Sequence, residues 1–264
     1  MSIQLFHVDA FTDRLFGGNP AAVVPLSDWL PDEVMCAIAA ENNLSETAFF
    51  IPAADSGADF HLRWFTPTVE VDLCGHATLA SAFVLFTALG WQADKLRFAS
   101  ASGTLTAIQA EDGMITLDFP ARAGAGMPVP DGLVAAIGQP VIGFRRAVMN
   151  MAILESEAAV RMAQPDLDYI RQLGGDGLII TAAGDSCDCA SRYFAPNSGI
   201  DEDPVTGSAH CTIAPYWAEQ LGKTVIAARQ VSKRGGDIRC ELAGDRVLIS
   251  GHACLYSSGQ LASI

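Results

Sequence analysis

Short apolar runs, each bounded by Gly, Pro or Asp, recur along most of this chain. Runs of this length with such boundaries are typical of β-strands. Turn residues at 111–113 and 243–245 predict hairpins, so we expect much of the sheet to be antiparallel. The predicted strands are 3–8, 20–25, 47–51, 60–65, 96–100, 103–109, 113–119, 141–148, 177–182, 189–194, 225–231, 237–242 and 245–249.

Two segments have the mixed polar and apolar pattern of amphipathic helices, 31–41 and 165–173. Ser27 or Asp28 is the predicted cap of the first of these helices, and Pro31 falls in its first turn. We expect both helices to pack at the periphery with one face in solvent.

Two further segments carry almost no charge. Residues 76–89 contain no charged side chain, and residues 208–221 contain only Glu219, with Pro215 as the predicted bend. A helix that is apolar on all sides must be buried on all sides, and neither segment reaches the ~18 residues of a membrane span. We therefore predict that each half of the chain wraps a strongly curved sheet around a central helix.

The two halves repeat one pattern, which predicts an internal duplication. In each half an Arg-aromatic-Phe-x-Pro segment leads to a glycine-containing turn and then to an apolar helix. Cys74 and Asp203 each lie eleven residues after the arginine of their half, so we expect them to occupy matching positions. The repeated segments are 63–67 with 74–78, and 192–196 with 203–210.

Composition and charge exclude several functional classes. Half of the 264 residues are hydrophobic and 17% are charged, as in a globular protein, and this length suits two domains. With a net charge of −14 there is no basic patch for nucleic acid or an anionic membrane. The first residues lack the pattern of a signal peptide, so we expect a cytoplasmic protein.

The seven cysteines are an odd number and lie mostly in apolar segments, which is typical of reduced, buried thiols. Cys187 and Cys189 form the tightest group, but no second ligand pair stands at metal spacing, so we expect no metal. No nucleotide-binding glycine motif occurs, and no cofactor is expected. The amides at two helix N-termini, 75–77 and 207–209, would instead hold the carboxylate of a small acid.

Four stretches resemble the motifs of the phenazine biosynthesis PhzF-like family of isomerases, in the family's order along essentially the whole chain. They are Phe-His-Val-Asp-Ala-Phe-Thr (6–12) with Gly-Gly-Asn-Pro-Ala (17–21), Asn-Leu-Ser-Glu-Thr-Ala-Phe (43–49), Cys-Gly-His-Ala-Thr (74–78) and Glu-Asp-Pro-Val-Thr-Gly-Ser-Ala-His (202–210).

The resemblance implies a diaminopimelate-epimerase-like α+β fold, in which two similar domains each roll a mostly antiparallel sheet around a central helix. It implies a first domain at 1–119, completed by about 253–264, and a second at 120–252. The active site would lie in the cleft between them, and the protein would be a homodimer. The substrate would be a small unsaturated or cyclic amino or hydroxy acid.

The resemblance also assigns site residues. Glu46 matches the general acid/base that moves a proton from one substrate carbon to another. His76 and Asp203 would be catalytic residues that position or polarise the substrate. The residues expected to bind substrate are Gly75, Gly207, Ser208, Asn19 and Asp72.

Alternatives remain open at this point. A two-base racemase or epimerase would use Cys74 and Asp203 on opposite sides of one carbon, with the thiolate activated at a helix N-terminus. A non-catalytic binding protein could retain the same fold. Arg63 and Arg192 either pair with buried carboxylates or anchor the substrate.

Overall fold

The computed structural model describes residues 2–53 and 57–262. These residues form eighteen strands and six α-helices, so the protein is α+β with most of its regular structure in sheet. The chain divides into two compact units, Met1–Asp118 with Ser250–Ile264, and Phe119–Ile249. Residues 1, 54–56 and 263–264, all inside the predicted first domain, lie outside the described residues.

The first unit contains a sheet and two helices that follow the predicted segments closely. Its elements are β1 (Ile3–Ala10), β2 (Asn19–Pro25), α1 (Asp32–Asn42), β3 (Glu46–Pro52), β4 (Phe60–Phe65), β5 (Glu70–Val71), α2 (Gly75–Thr87), β6 (Lys95–Ser100), β7 (Gly103–Gln109), β8 (Ile115–Pro120) and β18 (Ala253–Leu261).

The strands of the first unit run in the order β18-β1-β2-β3-β4-β6-β7-β8. The β2–β3 and β4–β6 pairs are parallel, and the other neighbours are antiparallel, including the predicted hairpin between β7 and β8. Helix α2 contacts β1, β2, β3, β7 and β18, so the sheet curves around it. Residues 75–82 of α2 are all buried, which confirms the predicted central helix.

Within the described residues, the second unit contains nine strands and four α-helices. Its elements are β9 (Ala125–Met127), α3 (Leu133–Ile137), β10 (Val141–Arg146), β11 (Asn150–Leu154), α4 (Glu157–Met162), α5 (Leu167–Leu173), β12 (Leu178–Ala183), β13 (Cys189–Ala195), β14 (Ile200–Asp203), α6 (His210–Leu221), β15 (Val225–Gln230), β16 (Gly236–Ala243) and β17 (Arg246–Gly251).

The second unit repeats the strand directions of the first. Its parallel pairs are β11–β12 and β13–β15, while β9–β10, β10–β11, β12–β13 and β15–β16 are antiparallel. These match, in order, the pairings of β18, β1, β2, β3, β4, β6 and β7. Helix α6 contacts β15 and β16, and Trp217 on this helix donates a 2.9 Å hydrogen bond to Thr181 on β12.

The peripheral helices pack as their patterns predict. Helix α1 buries Met35, Ile38 and Ala39 against the apolar side chains of Phe49 and Phe65. Helix α5 buries only Ile170 and leaves its other residues partly or fully exposed. In the described ranges, no helix combines the length and apolar character that a membrane span requires.

Some local expectations were wrong. Neither Ser27 nor Asp28 caps α1, because Pro31 occupies the cap position and no side chain bonds there; Asp28 instead accepts from the amide of Trp29. Helix α6 begins at His210 rather than at 208, because residues 207–209 form a tighter turn with i to i+3 hydrogen bonds. The elements not predicted are β5, β9, β11, β14, β18, α3 and α4.

Candidate active site

The first unit brings together side chains from the starts of two parallel strands and one helix. Asn19 is the first residue of β2 and Glu46 the first of β3, and these strands pair in parallel, with Ala21 opposite Glu46. Helix α2 begins at Gly75, and Cys74 is its N-cap. The fold thus places four residues from three distant sequence motifs at one point: Asn19, Glu46, Cys74 and His76.

His76 is the centre of this group. Its Nδ1 lies 3.2 Å from Asn19 Nδ2 and 3.5 Å from Cys74 Sγ. An amide nitrogen can only donate, so Nδ1 accepts and the neutral ring carries its proton on Nε2. Nε2 lies 3.3 Å from Glu46 Oε2, an ion-pair distance at which the two groups are not aligned for a hydrogen bond.

Burial decides the charge of this histidine. The His76 ring is buried, and desolvation lowers its pKa from 6.5 to about 3. At neutral pH the ring is therefore uncharged, and its contact with Glu46 is that of a polar group with a carboxylate. The Glu46 side chain is itself only 13% exposed.

The loop before β2 explains why the first motif needs a glycine at position 18. Gly18 has φ +62°, and a Cβ there would lie 2.1 Å from the carbonyl oxygen of Ala10. Asp9, which is buried on β1, accepts a 3.0 Å hydrogen bond from the amide of Phe16 and ties down the same loop. The motif therefore fixes the path that delivers Asn19.

Asn43, which has a left-handed backbone conformation, sets the turn that positions Glu46. Asn43 caps the C-terminus of α1 with φ +49° and donates its amide to Ala39. Asparagine is one of the few residues that readily adopt this conformation. The chain then turns within two residues into β3, and Asn42 fastens the turn with a 3.2 Å hydrogen bond to Thr47.

The second unit holds Asp203 in a buried hydrogen-bond network. Asp203 ends β14, and its Oδ2 accepts a 2.5 Å hydrogen bond from the Thr206 hydroxyl. Gln230 on β15 donates to the Asp203 carbonyl at 2.6 Å and to Thr206 Oγ1 at 3.3 Å, and accepts from the Thr206 amide at 2.8 Å. Gln230 is fully buried, so this brace is shielded from water.

The turn after this network leads into α6. Gly207 is buried and Ser208 is half-buried, and their carbonyl groups accept from the amides of His210 and Cys211. His210 is fully buried, and its Nδ1 lies 2.8 Å from the Thr206 carbonyl, to which it donates. Burial lowers the His210 pKa to about 4, so this ring is also neutral at pH 7.

The structure corrects the expected match of Cys74 with Asp203. Thr78 Oγ1 donates to the Cys74 carbonyl in the first unit, and His210 Nδ1 donates to the Thr206 carbonyl in the second, each four residues along. Thr206 therefore corresponds to Cys74. Counting from the arginines failed because the second unit has three more residues before its helix.

Only the first of the two duplicated units has a carboxylate at the position of Glu46. Strand register pairs Phe49 with Arg63 in the first unit and Ile180 with Arg192 in the second. Three residues before Phe49 is Glu46, and three residues before Ile180 is Gly177. The second unit therefore has a residue without a side chain where the first has its carboxylate.

Comparison with known proteins now identifies the family. A family model described as phenazine biosynthesis-like protein, PhzC-PhzF, matches residues 8–259. The chain belongs to this family. An uncharacterized isomerase of Pseudomonas aeruginosa is 47% identical over 261 residues, which cover 99% of each chain. From its family and this relative, the protein is an isomerase.

Solved structures agree. The crystal structure of a PhzF-family protein from Enterococcus faecalis has a TM-score of 0.96 at 44% identity and covers 100% of each chain. A hydroxyproline epimerase from Agrobacterium vitis has a TM-score of 0.64 at 13% identity, covering 98% of this chain and 92% of that chain, which shows a common fold. The predicted family and fold class are confirmed.

The remaining residues named from the sequence have other surroundings. Arg63 binds Glu70 through two 2.6 Å hydrogen bonds, and Arg192 binds Glu202 at 2.7 and 2.8 Å. Both arginines thus pair with carboxylates of their own unit. Asp72 is exposed, and its backbone carbonyl accepts from Ser102.

Two residues of the hydrogen-bond network around Asp203 were not predicted from the sequence. Thr206 lies inside the family motif but was not singled out, and Gln230 lies outside every motif. No local signal marks Gln230, because its partners are 24 and 27 residues away and only the pairing of strands reveals the contact.

Proposed function

We propose that this isomerase needs no cofactor and that Glu46 is the general acid/base that moves a proton between two carbons of a small unsaturated or cyclic amino or hydroxy acid. The observation that carries the proposal is the Glu46 carboxylate, largely buried and 3.3 Å from a neutral histidine. A carboxylate held in this way can accept a proton from carbon and return it.

The proposed proton transfer requires only the substrate and the Glu46 carboxylate. The carboxylate takes a proton from a carbon conjugated to an acid group, and the electrons of the broken C–H bond spread into that conjugated system. The resulting carboxylic acid exchanges its O–H proton with solvent and then gives a proton to another carbon, where a new C–H bond forms. The overall change moves one proton and one double bond, and it requires neither an oxidant nor a reductant.

His76 is suited to donate a hydrogen bond rather than a proton in this step. With a pKa of about 3, the ring is almost never an imidazolium at neutral pH. Its Nε2–H can instead stabilise negative charge as it develops on the substrate. Asn19 supports this role because its amide holds the ring in the required tautomer.

Asp203 and Ser208 of the second unit, together with Gly75 and Gly207, are proposed to bind the polar groups of the substrate. The Asp203 carboxylate, oriented by Thr206, would accept from an amine or hydroxyl. Ser208 would donate its hydroxyl, and Gly75 and Gly207 would allow a close approach to backbone amides at the helix starts.

The first test is turnover of a candidate substrate by the intact protein. The family's prototype substrate is a dihydro-hydroxyanthranilate, so trans-2,3-dihydro-3-hydroxyanthranilate in D₂O is the starting compound, followed by proton NMR. We expect isomerisation with deuterium at the new C–H position. A Glu41→Gln variant, altered at an exposed glutamate on α1, should remain as active as the wild type.

Failure with this compound alone removes only the narrower proposal of a phenazine substrate. The next compounds would be other cyclic and unsaturated amino and hydroxy acids. Absence of both isomerisation and solvent exchange across that panel would contradict the proposed reaction and favour the binding-protein alternative.

The two-base racemase is the second enzymatic hypothesis, and it must be distinguished from the one-base isomerase. Its support is the Cys74 thiol, 3.5 Å from His76 at the start of α2. Its weakness is that Thr206, rather than the Asp203 named as second base in this alternative, matches the position of Cys74, and a threonine hydroxyl is a poor acid or base at neutral pH. Racemisation would appear as exchange at one chiral carbon with no movement of a double bond.

Homodimer formation remains a prediction from the family resemblance, and a cytoplasmic location remains a prediction from the sequence. Light scattering of the purified protein would test the first, with a dimer expected at twice the 27.8 kDa of one chain. A mass of one chain would contradict it.

A further inference from the structure

Glu46, Cys74 and His76 form a set of three metal-ligand types that the proposed proton transfer does not fully use. One ligand atom from each of them lies within 4.8 Å of the others. In the described residues, no other three His, Cys, Asp or Glu side chains meet this condition. The thiol of Cys74 has no role in the proposed reaction.

The spacing suits a small tetrahedral ion. Zinc bonds of ~2.0–2.1 Å to nitrogen and oxygen put two such ligands ~3.3 Å apart, and His76 Nε2 lies 3.3 Å from Glu46 Oε2. A sulfur at ~2.3 Å from zinc would lie ~3.6 Å from the other ligands. The Cys74 sulfur lies within 4.8 Å of a Glu46 carboxylate oxygen and of one His76 ring nitrogen, and its closest contact is with Nδ1 at 3.5 Å. Rotation of the Cys74 side chain would have to bring the sulfur towards an ion held at Nε2.

The chemistry of the three ligands also matches zinc. A thiolate and a carboxylate together neutralise the two positive charges of the ion, and a neutral imidazole completes three protein ligands with one open position. Zinc at Nε2 requires the other tautomer, with the proton on Nδ1. Asn19 can serve that tautomer as well, because rotation of its amide presents an oxygen that accepts from Nδ1–H.

We propose that Glu46, Cys74 and His76 bind one zinc ion and that this ion inhibits the enzyme. Binding releases the Cys74 thiol proton to water and forms one bond from each side chain to the metal. The ion then occupies the carboxylate that the proposed isomerisation requires, so zinc and turnover exclude each other. The sequence did not predict this site because its ligands lie in two separate motifs with no metal spacing.

The test uses the intact, reduced, metal-free protein without substrate, titrated with Co²⁺ and then Zn²⁺. We expect the near-ultraviolet band of a thiolate–cobalt bond and the visible bands of tetrahedral cobalt, saturating at one ion per chain. Zinc should remove both sets of bands. Because no turnover is measured, failure of the proposed isomerase activity would leave this result unaffected.

Variants assign the ligands. Cys74→Ser should abolish the thiolate band, and Glu46→Gln should weaken cobalt binding by more than about 10-fold, since even outer-sphere partners contribute that much. Cys187→Ser is the matched control and should change nothing, because Cys187 lies in the second unit and is not one of the three proposed ligands. Circular dichroism of the metal-free variants would detect any loss of fold.

The proposal is overturned if wild-type protein gives no thiolate band, or if the band persists in Cys74→Ser. If Cys74→Ser does not fold, the decision passes to Glu46→Gln, where unchanged cobalt affinity and unchanged visible bands would also overturn it.

Discussion

Individual residues hold the carboxylate of Asp203 in place. Its side chain accepts from Thr206, and its backbone is held by Gln230 from 27 residues away. Buried polar groups of this kind are costly when a partner is lost, because no water replaces it. Gln230 is therefore expected to matter for stability although it belongs to no motif.

Gln230→Met is predicted to lower the free energy of unfolding by about 2–4 kcal/mol, since it leaves the Asp203 carbonyl and the Thr206 amide buried without this partner. Urea denaturation would measure the loss. Gln260→Met, at an exposed position on β18, is the control and should stay within about 0.5 kcal/mol of wild type. Equal stability of the two variants would contradict the role given to Gln230.

Residues differ in how far the sequence could predict them. Glu46 and His76 stand in contiguous motifs, so resemblance identified both before their 3.3 Å contact was known. The match of Cys74 with Asp203 failed because residue counting cannot detect an insertion between a strand and a helix. Gln230 could not be predicted, because its contacts depend on tertiary pairing.

Among the elements, the loop between β1 and β2 is tightly constrained. Gly18 combines a left-handed backbone with a close approach to the Ala10 carbonyl. Gly113, in the turn before β8, has φ +84° but open space where a Cβ would lie. Comparison of these two glycines separates backbone strain from steric clash.

Gly18→Ala is predicted to destabilise the protein by more than Gly113→Ala, for which about 1 kcal/mol of left-handed strain is expected. The extra loss comes from the clash with the β1 backbone, which must move and displace Asn19. Thermal unfolding of both variants would measure the difference. Similar melting temperatures for the two would show that the loop accommodates a side chain.

Elements were predicted well where their patterns were long. Helices α1 and α2 and most strands of five or more residues were located to within a few residues. Strands β5 and β9, of two and three residues, are too short to give a pattern. Strand β18 was missed because its middle, residues 257–260, is Ser-Ser-Gly-Gln with no alternation of polar and apolar positions, and six of its nine residues are exposed.

At the scale of the whole molecule, the two duplicated units carry different side chains at matching positions. Both units repeat the same strand directions, but Glu46 corresponds to Gly177, and Cys74 corresponds to Thr206. The Glu46 carboxylate has no counterpart at the matching position of the second unit, which agrees with a one-base proton transfer. It does not provide the two opposed bases of a symmetrical racemase.

Stability of the whole molecule is predicted to fall between pH 6.5 and pH 4. The pKa of His210 is about 4 in the folded protein and about 6.5 when unfolded, so in this window the unfolded state binds the extra proton. Urea denaturation should show the wild type losing stability relative to His210→Asn by up to about 1.4 kcal/mol per pH unit. Parallel pH profiles for the two proteins would contradict a buried neutral ring.

The most direct test of the central claim compares Glu46→Gln with Cys74→Ser in the deuterium-transfer assay, once a substrate is in hand. A one-base isomerase predicts that Glu46→Gln lowers the rate about 10²–10⁴-fold, the usual contribution of a general acid/base. Cys74→Ser should retain most of the activity. Loss of transfer in Cys74→Ser with activity preserved in Glu46→Gln would contradict this account and assign the chemistry to the thiol.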